Sequence, residues 1–569
     1  MLAFINFYHY SLILFFIISL SFIYSKLYNK SIEETLSTSI LSIVFFLYWF
    51  AIFDFLDLGL KILIISTSIL TPICLFLKRS HINRLLSIGV LTYITLVFIV
   101  AIMFKDYFIY MWDDLSHWGL TAKDMYFKNS IVKRDYNDYP IGIRLFQYFI
   151  LKIYGNYNEG VLLTYFYIIY FSFVVYPLKN ISFRSINNCL ITLLYSILAL
   201  LLPMFFIIFD NFSPFKIYRF LMVDLLLGLT FGFAIYIVLL KKYFTKYDSL
   251  QMFLLLFFLV QIKIVGLMFA VCAFLWIILR NKSILQGIKE GLFFVIPILL
   301  SKLSWLFYIK YHNYSSYLSD RFDSSNKIIN FNDFLSIYIN ALNHRNIFLY
   351  FSVTDLLMLF FATSIFFIGF YRYLQFYIIK LYLLLFTLFL VYNLGLYFTY
   401  MNVFHDIERV NLFSFERYQN LLFSGFIFIL FLFLPKLFLY IKNYYNGYLL
   451  TATLVCFCSF FGYFSYTKYS KDINIPNYAK KLKSDVLKVL ETLPKNLHNK
   501  NIVMISDDFP RLILRYNSCY NVLKYTSKEK PDLIVLYNKE KYKEKIIDYI
   551  KLHQLNINFA EIKVNVLKP

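Results

Sequence analysis

Two adjacent carboxylates, Asp113 and Asp114, stand in the segment Trp112-Asp113-Asp114-Leu115-Ser116-His117-Trp118-Gly119-Leu120-Thr121-Ala122-Lys123 of a chain otherwise dominated by apolar residues. Neighbouring carboxylates repel, which makes one of them more basic than an isolated Asp, as a general base requires. If Asp114 to Tyr126 is helical, one of the two acids, His117 and Lys123 gather near one end of that helix, with Trp112 and Trp118 at the depth of lipid headgroups. The competing reading is structural: an acidic pair caps a helix start, and tryptophans at that depth form a belt.

Further groups of the same kind follow along the chain. Asp138-Tyr139-Pro140-Ile141-Gly142 closes the same loop, Asp224 follows Met222-Val223, and Lys263 interrupts a long apolar run. In Ser414-Phe415-Glu416-Arg417-Tyr418, Arg417 either clamps a phosphate or pairs with Glu416. Asp224 either faces a site or caps the helix it begins. His405 and Asp406 could join Asp113 on a divalent cation, but two residues without ligand spacing are thin grounds for a metal site.

The elements that must position these groups are set by composition. The 569 residues are 60% hydrophobic and 15% charged, with a mean hydropathy of +0.64. That leaves too little polar surface to coat a water-soluble globule of this size. Apolar runs of about 20 residues, the length that crosses a lipid core, recur from Ser11 to Tyr466, and no stretch alternates in the manner of a β-barrel. The net charge of +22 is scattered among the joints between these runs, which excludes a basic nucleic-acid-binding domain and fits affinity for phosphate-bearing lipids. Six cysteines form neither a disulfide framework nor a zinc spacing.

Placing basic joints in the cytoplasm puts Lys26/Lys30, Lys78/Arg79/Arg84, Lys179/Arg184, Lys241/Lys242/Lys246, Arg280/Lys282, Arg372 and Lys436/Lys442 on one side. The joints at Asp54 to Asp57, Lys105 to Glu159, Asp210 to Arg219, Ile309 to Arg345 and Met401 to Tyr418 then face outward, with everything after Tyr466. This path has about 14 spans. The first run has its lysines after it rather than before it, so it reads as a retained helix with its N-terminus outside. Leu250 to Leu279 has basic joints at both ends and must turn back at Lys263, where a lysine below the membrane surface tends to line a cavity; the alternative is one tilted helix with a snorkelling lysine. From Lys471 the composition becomes that of a small α/β unit, with helices expected over Asn477 to Leu493 and Lys539 to Leu552 and strands over Asn501 to Ser506 and Asp532 to Tyr537. The expected organisation is therefore 1–104 N-terminal transmembrane helices, 105–158 an extracytoplasmic loop, 159–467 a transmembrane core and 468–569 a soluble α/β extracytoplasmic domain.

The acidic pair in the first large outer loop, Tyr139-Pro140-Ile141-Gly142, Val223-Asp224, Lys263 to Gly266, and Glu416-Arg417-Tyr418 together resemble the membrane glycosyltransferases of the GT-C superfamily, in their protein-mannosyltransferase-like and aminoarabinose-transferase-like branch. The resemblance covers Lys105 to Tyr418 and is strongest over Trp112 to Gly142. It implies a GT-C-like α-helical polytopic membrane fold. It also implies that Asp113 is the catalytic carboxylate, with Asp114 where the family commonly has Glu, and that Ile141 replaces a second proline. The activity implied is transfer of one sugar, with inversion, from a polyprenyl-phosphate donor to an acceptor hydroxyl on a lipid, glycan or protein at the outer face of a bacterial inner membrane. Lys263 and Arg417 would hold the donor phosphate, while Trp112, His117, Trp118, Lys123, Tyr139, Asp224, Glu416 and Tyr418 would line the substrate site. No nucleotide-binding loop is needed for a donor already activated on lipid, and no cofactor is required beyond an optional divalent cation. Rival readings are a lipid-linked oligosaccharide ligase or polymerase, which relies on a large late outer loop that is short here, and a lipid or glycan transporter, which places paired charges near the membrane midplane and often repeats its halves.

Overall fold

The computed structural model describes residues 2–444 except 78–84, 112, 133–138, 183–184, 207–217, 219, 242, 282, 315–330, 349–350, 371–374 and 405, together with 481, 483, 484, 501–505, 521–523 and 533–536. The first half is a run of helices: α1 Leu2–Tyr28, α2 Ile32–Ile52, α3 Leu56–Leu77, α4 Ile88–Phe104, α5 Gly119–Lys128, α6 Gly142–Tyr154, α7 Glu159–Val174 and α8 Ile186–Leu201. The second half continues with α9 Asp224–Leu240, α10 Lys246–Ile262, α11 Gly266–Leu279, α12 Ile284–Tyr311, α13 Phe331–His344, a small hairpin of β1 Asn346–Phe348 and β2 Phe351–Ser352, α14 Val353–Phe370, α15 Gln375–Asn402, α16 Asp406–Val410 and α17 Phe415–Tyr444.

Among the described residues, eight helices are long and apolar enough to cross a membrane, and four shorter apolar helices accompany them. The last crossing expected from the sequence, ending at Tyr466, lies outside the described residues. On α12 the exposed residues Leu285, Leu292, Ile296, Leu299, Leu303 and Leu306 recur at steps of seven, three and four, an apolar stripe along one helix face. Such a stripe is costly in water and at home in lipid. By contrast α7 and α9 are buried almost throughout. Helix α6, which lies in the segment expected to be an outer loop, packs on α1, α2, α7 and α10 with most of its residues buried.

Two compact units divide the chain. The larger holds Met1–Asp106, Asp124–Arg219 and Val223–Ser470. Helices α9 and α17 run side by side in the same direction, and small residues let their backbones approach closely. A methyl group added at Gly228 would collide with the Ser424 hydroxyl and the Leu421 carbonyl, and one at Gly232 with the Gly425 carbonyl. Gly228 and Gly232 are four apart on α9, the small-xxx-small spacing by which membrane helices approach closely. Helices α10 and α11 form the hairpin that the basic joints at their two ends require. Gly266 sits directly on the Leu259 carbonyl, and Arg280 at the far end of α11 donates to the Lys241 carbonyl, close to where α10 begins.

One end of this unit collects the basic joints. Lys179 donates to Glu34 Oε1 at 2.6 Å, Lys241 lies 2.9 Å from Asp248 Oδ1, and Lys30 lies 4.0 Å from the same oxygen. Arg280 pairs with Glu290, and Lys380 donates to the Leu279 carbonyl. Four of the expected basic joints, those of Lys30, Lys179, Lys241 and Arg280, are thus linked at one end of the unit.

The smaller unit consists of Tyr107–Lys123, Phe220–Met222 and the chain from Lys471. Its strands β3 Asn501–Ile505, β4 Asn521–Leu523 and β5 Leu533–Leu536 form a parallel sheet in the order β4-β3-β5. The outer two of the three in sequence match the expected strands; β4, only three residues long, carries too short a pattern to be read. The two helices expected in this region fall almost wholly outside the described residues.

Candidate functional site

Within the smaller unit, the acidic pair begins a π-helical turn, Asp114–Trp118, that leads into α5. Asp113 has helical backbone angles and its side chain makes no capping hydrogen bond. Asp114 is buried and accepts from the Leu221 backbone N–H, at 3.1 Å to Oδ1 and 3.2 Å to Oδ2. Neither acid is the simple helix cap that the sequence allowed, and the two have different surroundings. Asp114 fixes a backbone segment 107 residues away, whereas Asp113 is only partly buried.

His117 and Trp118 are buried together, with ring centroids 4.9 Å apart at 74°. A tryptophan so enclosed does not face outward as a lipid belt does, so for Trp118 the belt reading is set aside. Thr121 donates to the His117 carbonyl at 2.8 Å, tying the π-turn to α5. Lys123, partly buried, ends this stretch of the unit. Trp112 lies outside the described residues.

Within the larger unit, three expected residues meet. Asp224 opens α9, and its Oδ1 accepts from Lys263 Nζ at 2.5 Å. Its Oδ2 lies 3.7 Å from Arg417 Nε. Arg417 donates to the Tyr418 hydroxyl at 3.1 Å, and Lys263 lies 5.3 Å from the centre of the Tyr418 ring. Lys263 reaches this point because the chain is extended there, at φ −156° and ψ 157°, between two helices that could not otherwise reverse. Arg417 reaches it because α17 runs beside α9 from the same end.

Glu416 takes Arg345 Nη1 at 3.2 Å. Arg345 was not among the expected residues. Besides Glu416 it donates to the Leu412 carbonyl at 3.2 Å and the Asn411 carbonyl at 2.8 Å. The turn it grips is strained, since Leu412 at φ 47° and Ser414 at φ 63° are both left-handed without being glycine. Arg409, fully buried and just before this turn, donates to the Tyr400 and Phe404 carbonyls at the end of the preceding helix. The only signal of Arg345 in the sequence is its position at the end of an outer joint.

Tyr139 is partly buried, and the glycine of its motif has a packing role. A side chain at Gly142 would stand 2.8 Å from Gln261 Cβ and 2.9 Å from the Gln261 carbonyl oxygen. The motif is thereby pressed against α10 two residues before Lys263. His405 and Asp138 lie outside the described residues, as does the Asp406 side chain. Among the described residues, no three His, Cys, Asp or Glu side chains gather as a metal site requires.

The arrangement in the larger unit places two cations on one carboxylate at the end of a helix bundle, a geometry suited to holding a phosphate. No family model matches this chain, and neither a curated protein nor a solved structure does.

Proposed function

We propose that this protein is a GT-C-like membrane glycosyltransferase that moves one sugar from a polyprenyl-phosphate donor to an acceptor hydroxyl. The observation that carries the reading is the convergence of Lys263 and Arg417, distant in sequence, on Asp224 at the start of α9. Each was expected from the resemblance. The cluster lies at helix ends rather than midway along them, which favours a transferase over a transporter with midplane charges. The finer elements of the reading remain part of the proposal: about 14 spans, an outward-facing site in a bacterial inner membrane, and an extracytoplasmic C-terminal domain.

In this reading Asp113 takes the proton of the acceptor hydroxyl as its oxygen bonds to the anomeric carbon. The bond from that carbon to the donor phosphate oxygen breaks, and the electron pair leaves with the lipid phosphate. Inversion follows from attack opposite the leaving group. Lys263 and Arg417 stabilise the charge that grows on the phosphate. Asp114, already committed to the Leu221 N–H, holds the loop and leaves Asp113 as the base. His117, Trp118, Lys123, Tyr139 and Tyr418 contribute to the sugar and acceptor sites.

Replacing Asp113 with Asn tests the assignment. Turnover of a labelled polyprenyl-phosphate sugar by purified protein should fall by roughly 10²–10⁴-fold, with the thermal midpoint unchanged. Near-normal transfer by D113N removes the general-base role. A wild-type protein that leaves the labelled donor chemically intact while carrying it across a vesicle membrane is a transporter, and the transferase reading falls with it.

A further inference from the structure

We propose that Asp224 is a displaceable counter-ion, occupying on Lys263 and Arg417 the place that a phosphate oxygen of the lipid takes. The inference rests on the donor-phosphate reading above and assigns Asp224 a role opposed to substrate binding. Both carboxylate oxygens are aimed at cationic side chains, Oδ1 at Lys263 and Oδ2 at Arg417. The second contact, at 3.7 Å, is beyond hydrogen-bond length, so one of the two pairings is already loose. The acid is also the more enclosed partner: its side chain is 5% exposed, against 15% for Lys263 and 12% for Arg417. The cations therefore offer an arriving ligand a larger share of their surface than the carboxylate does.

The physics of the exchange is simple. Two cations in a poorly hydrated site are costly without an anion, so the empty site needs Asp224. An arriving phosphate supplies the anion, and the cations turn from one partner to the other. Lys263 is well placed to turn, because it sits on an extended residue between α10 and α11 and is held by no helical turn of its own. The apparent affinity is lowered by the fraction of time that Asp224 holds the cations. Removing the charge of Asp224 should then tighten phosphate binding, whereas removing a ligand-binding residue would weaken it.

The experiment measures binding of dodecyl phosphate and of inorganic phosphate to full-length protein in maltoside detergent, by calorimetry, for wild type, Asp224→Asn and Lys263→Gln. The expected result is at least about tenfold tighter binding by D224N, or about 1.4 kcal/mol, with binding weakened in K263Q. Response to dodecyl phosphate alone names a lipid phosphate, and an equal response to both names any phosphate. Unchanged or weaker binding by D224N, with K263Q still impaired, overturns the counter-ion role and leaves the donor-phosphate reading standing. No binding by wild type, with K263Q behaving identically, overturns that reading itself. Should D224N aggregate when purified, extraction with dodecyl phosphate present decides: recovery of monodisperse protein supports the exchange, and aggregation in its presence overturns it.

Discussion

The two ends of α9 carry charge clusters built from the same residue types and wired differently. Its 17 residues span about 25 Å, close to the thickness of a lipid core. At the start, Asp224 directs both oxygens to side-chain cations. At the finish, Glu34 and Asp248 each give one oxygen to lysines and the other to a capping box: Glu34 Oε2 takes the Ser31 backbone N–H at 3.3 Å, and Asp248 Oδ2 takes the Thr245 backbone N–H at 3.0 Å and its hydroxyl at 2.6 Å. The backbone of Glu34 is engaged as well, its carbonyl accepting from Tyr247 at 2.6 Å and Gln251 at 3.1 Å. An acid locked into helix caps on one side cannot exchange its cations without unwinding a helix start. An acid whose two oxygens both face side-chain cations can. The far cluster is therefore a latch joining α1, α2, α9 and α10, and the near one is the proposed site.

The largest effect that separates them should come from Glu34→Gln. It strips the counter-charge from Lys179, whose side chain is 20% exposed, and leaves Lys241 with Asp248 alone; breaking such a buried pair costs roughly 3 kcal/mol. Thermal unfolding of the purified variant should show the loss as a lowered midpoint, with the Michaelis constant for donor unchanged in whatever protein remains folded. A variant as stable as wild type, or one impaired in donor affinity, would erase the distinction between latch and site. Next in size is Arg345→Gln. It releases Glu416 and the carbonyls of Asn411 and Leu412, so the left-handed turn relaxes and Arg417 loses its fixed approach to Asp224. The donor KM should rise about tenfold, equivalent to about 1.4 kcal/mol, while kcat stays within about twofold. A fall in kcat alone would instead make Arg345 a participant in the chemistry.

The same contrast marks what the sequence makes legible. Helices follow from apolar runs, and the reversal at Lys263 follows from basic residues on both flanks, because these are local signals of length and charge. Asp224, Lys263 and Arg417 could be placed near one end of the bundle for the same reason. What a local signal does not carry is direction. Nothing near Asp114 says that it reaches Leu221, and nothing near Glu416 says that it takes Arg345, 71 residues away. Helix α6 lies in a segment that the sequence reads as an outer loop, and Arg144, Gln147 and Lys152 interrupt its apolar pattern; the structure buries the first two among neighbouring helices, which no run of hydropathy anticipates.

The smallest change, Thr245→Ala, tests whether the latch depends on its caps. The Thr245 hydroxyl bonds Asp248 Oδ2 at 2.6 Å and accepts from the Asp248 N–H at 3.3 Å, so it both starts α10 and holds the carboxylate in place. Loss of such a cap costs about 1 kcal/mol. Asp248 keeps its backbone bond to the Thr245 N–H at 3.0 Å and its contact with Lys241, so the acid stays charged and paired. The expected outcome is a thermal midpoint lowered by less than in E34Q, with phosphate binding untouched. If T245A instead weakens phosphate binding, the two ends of α9 are mechanically coupled, and the charge cluster at its finish helps to set the geometry of the one at its start.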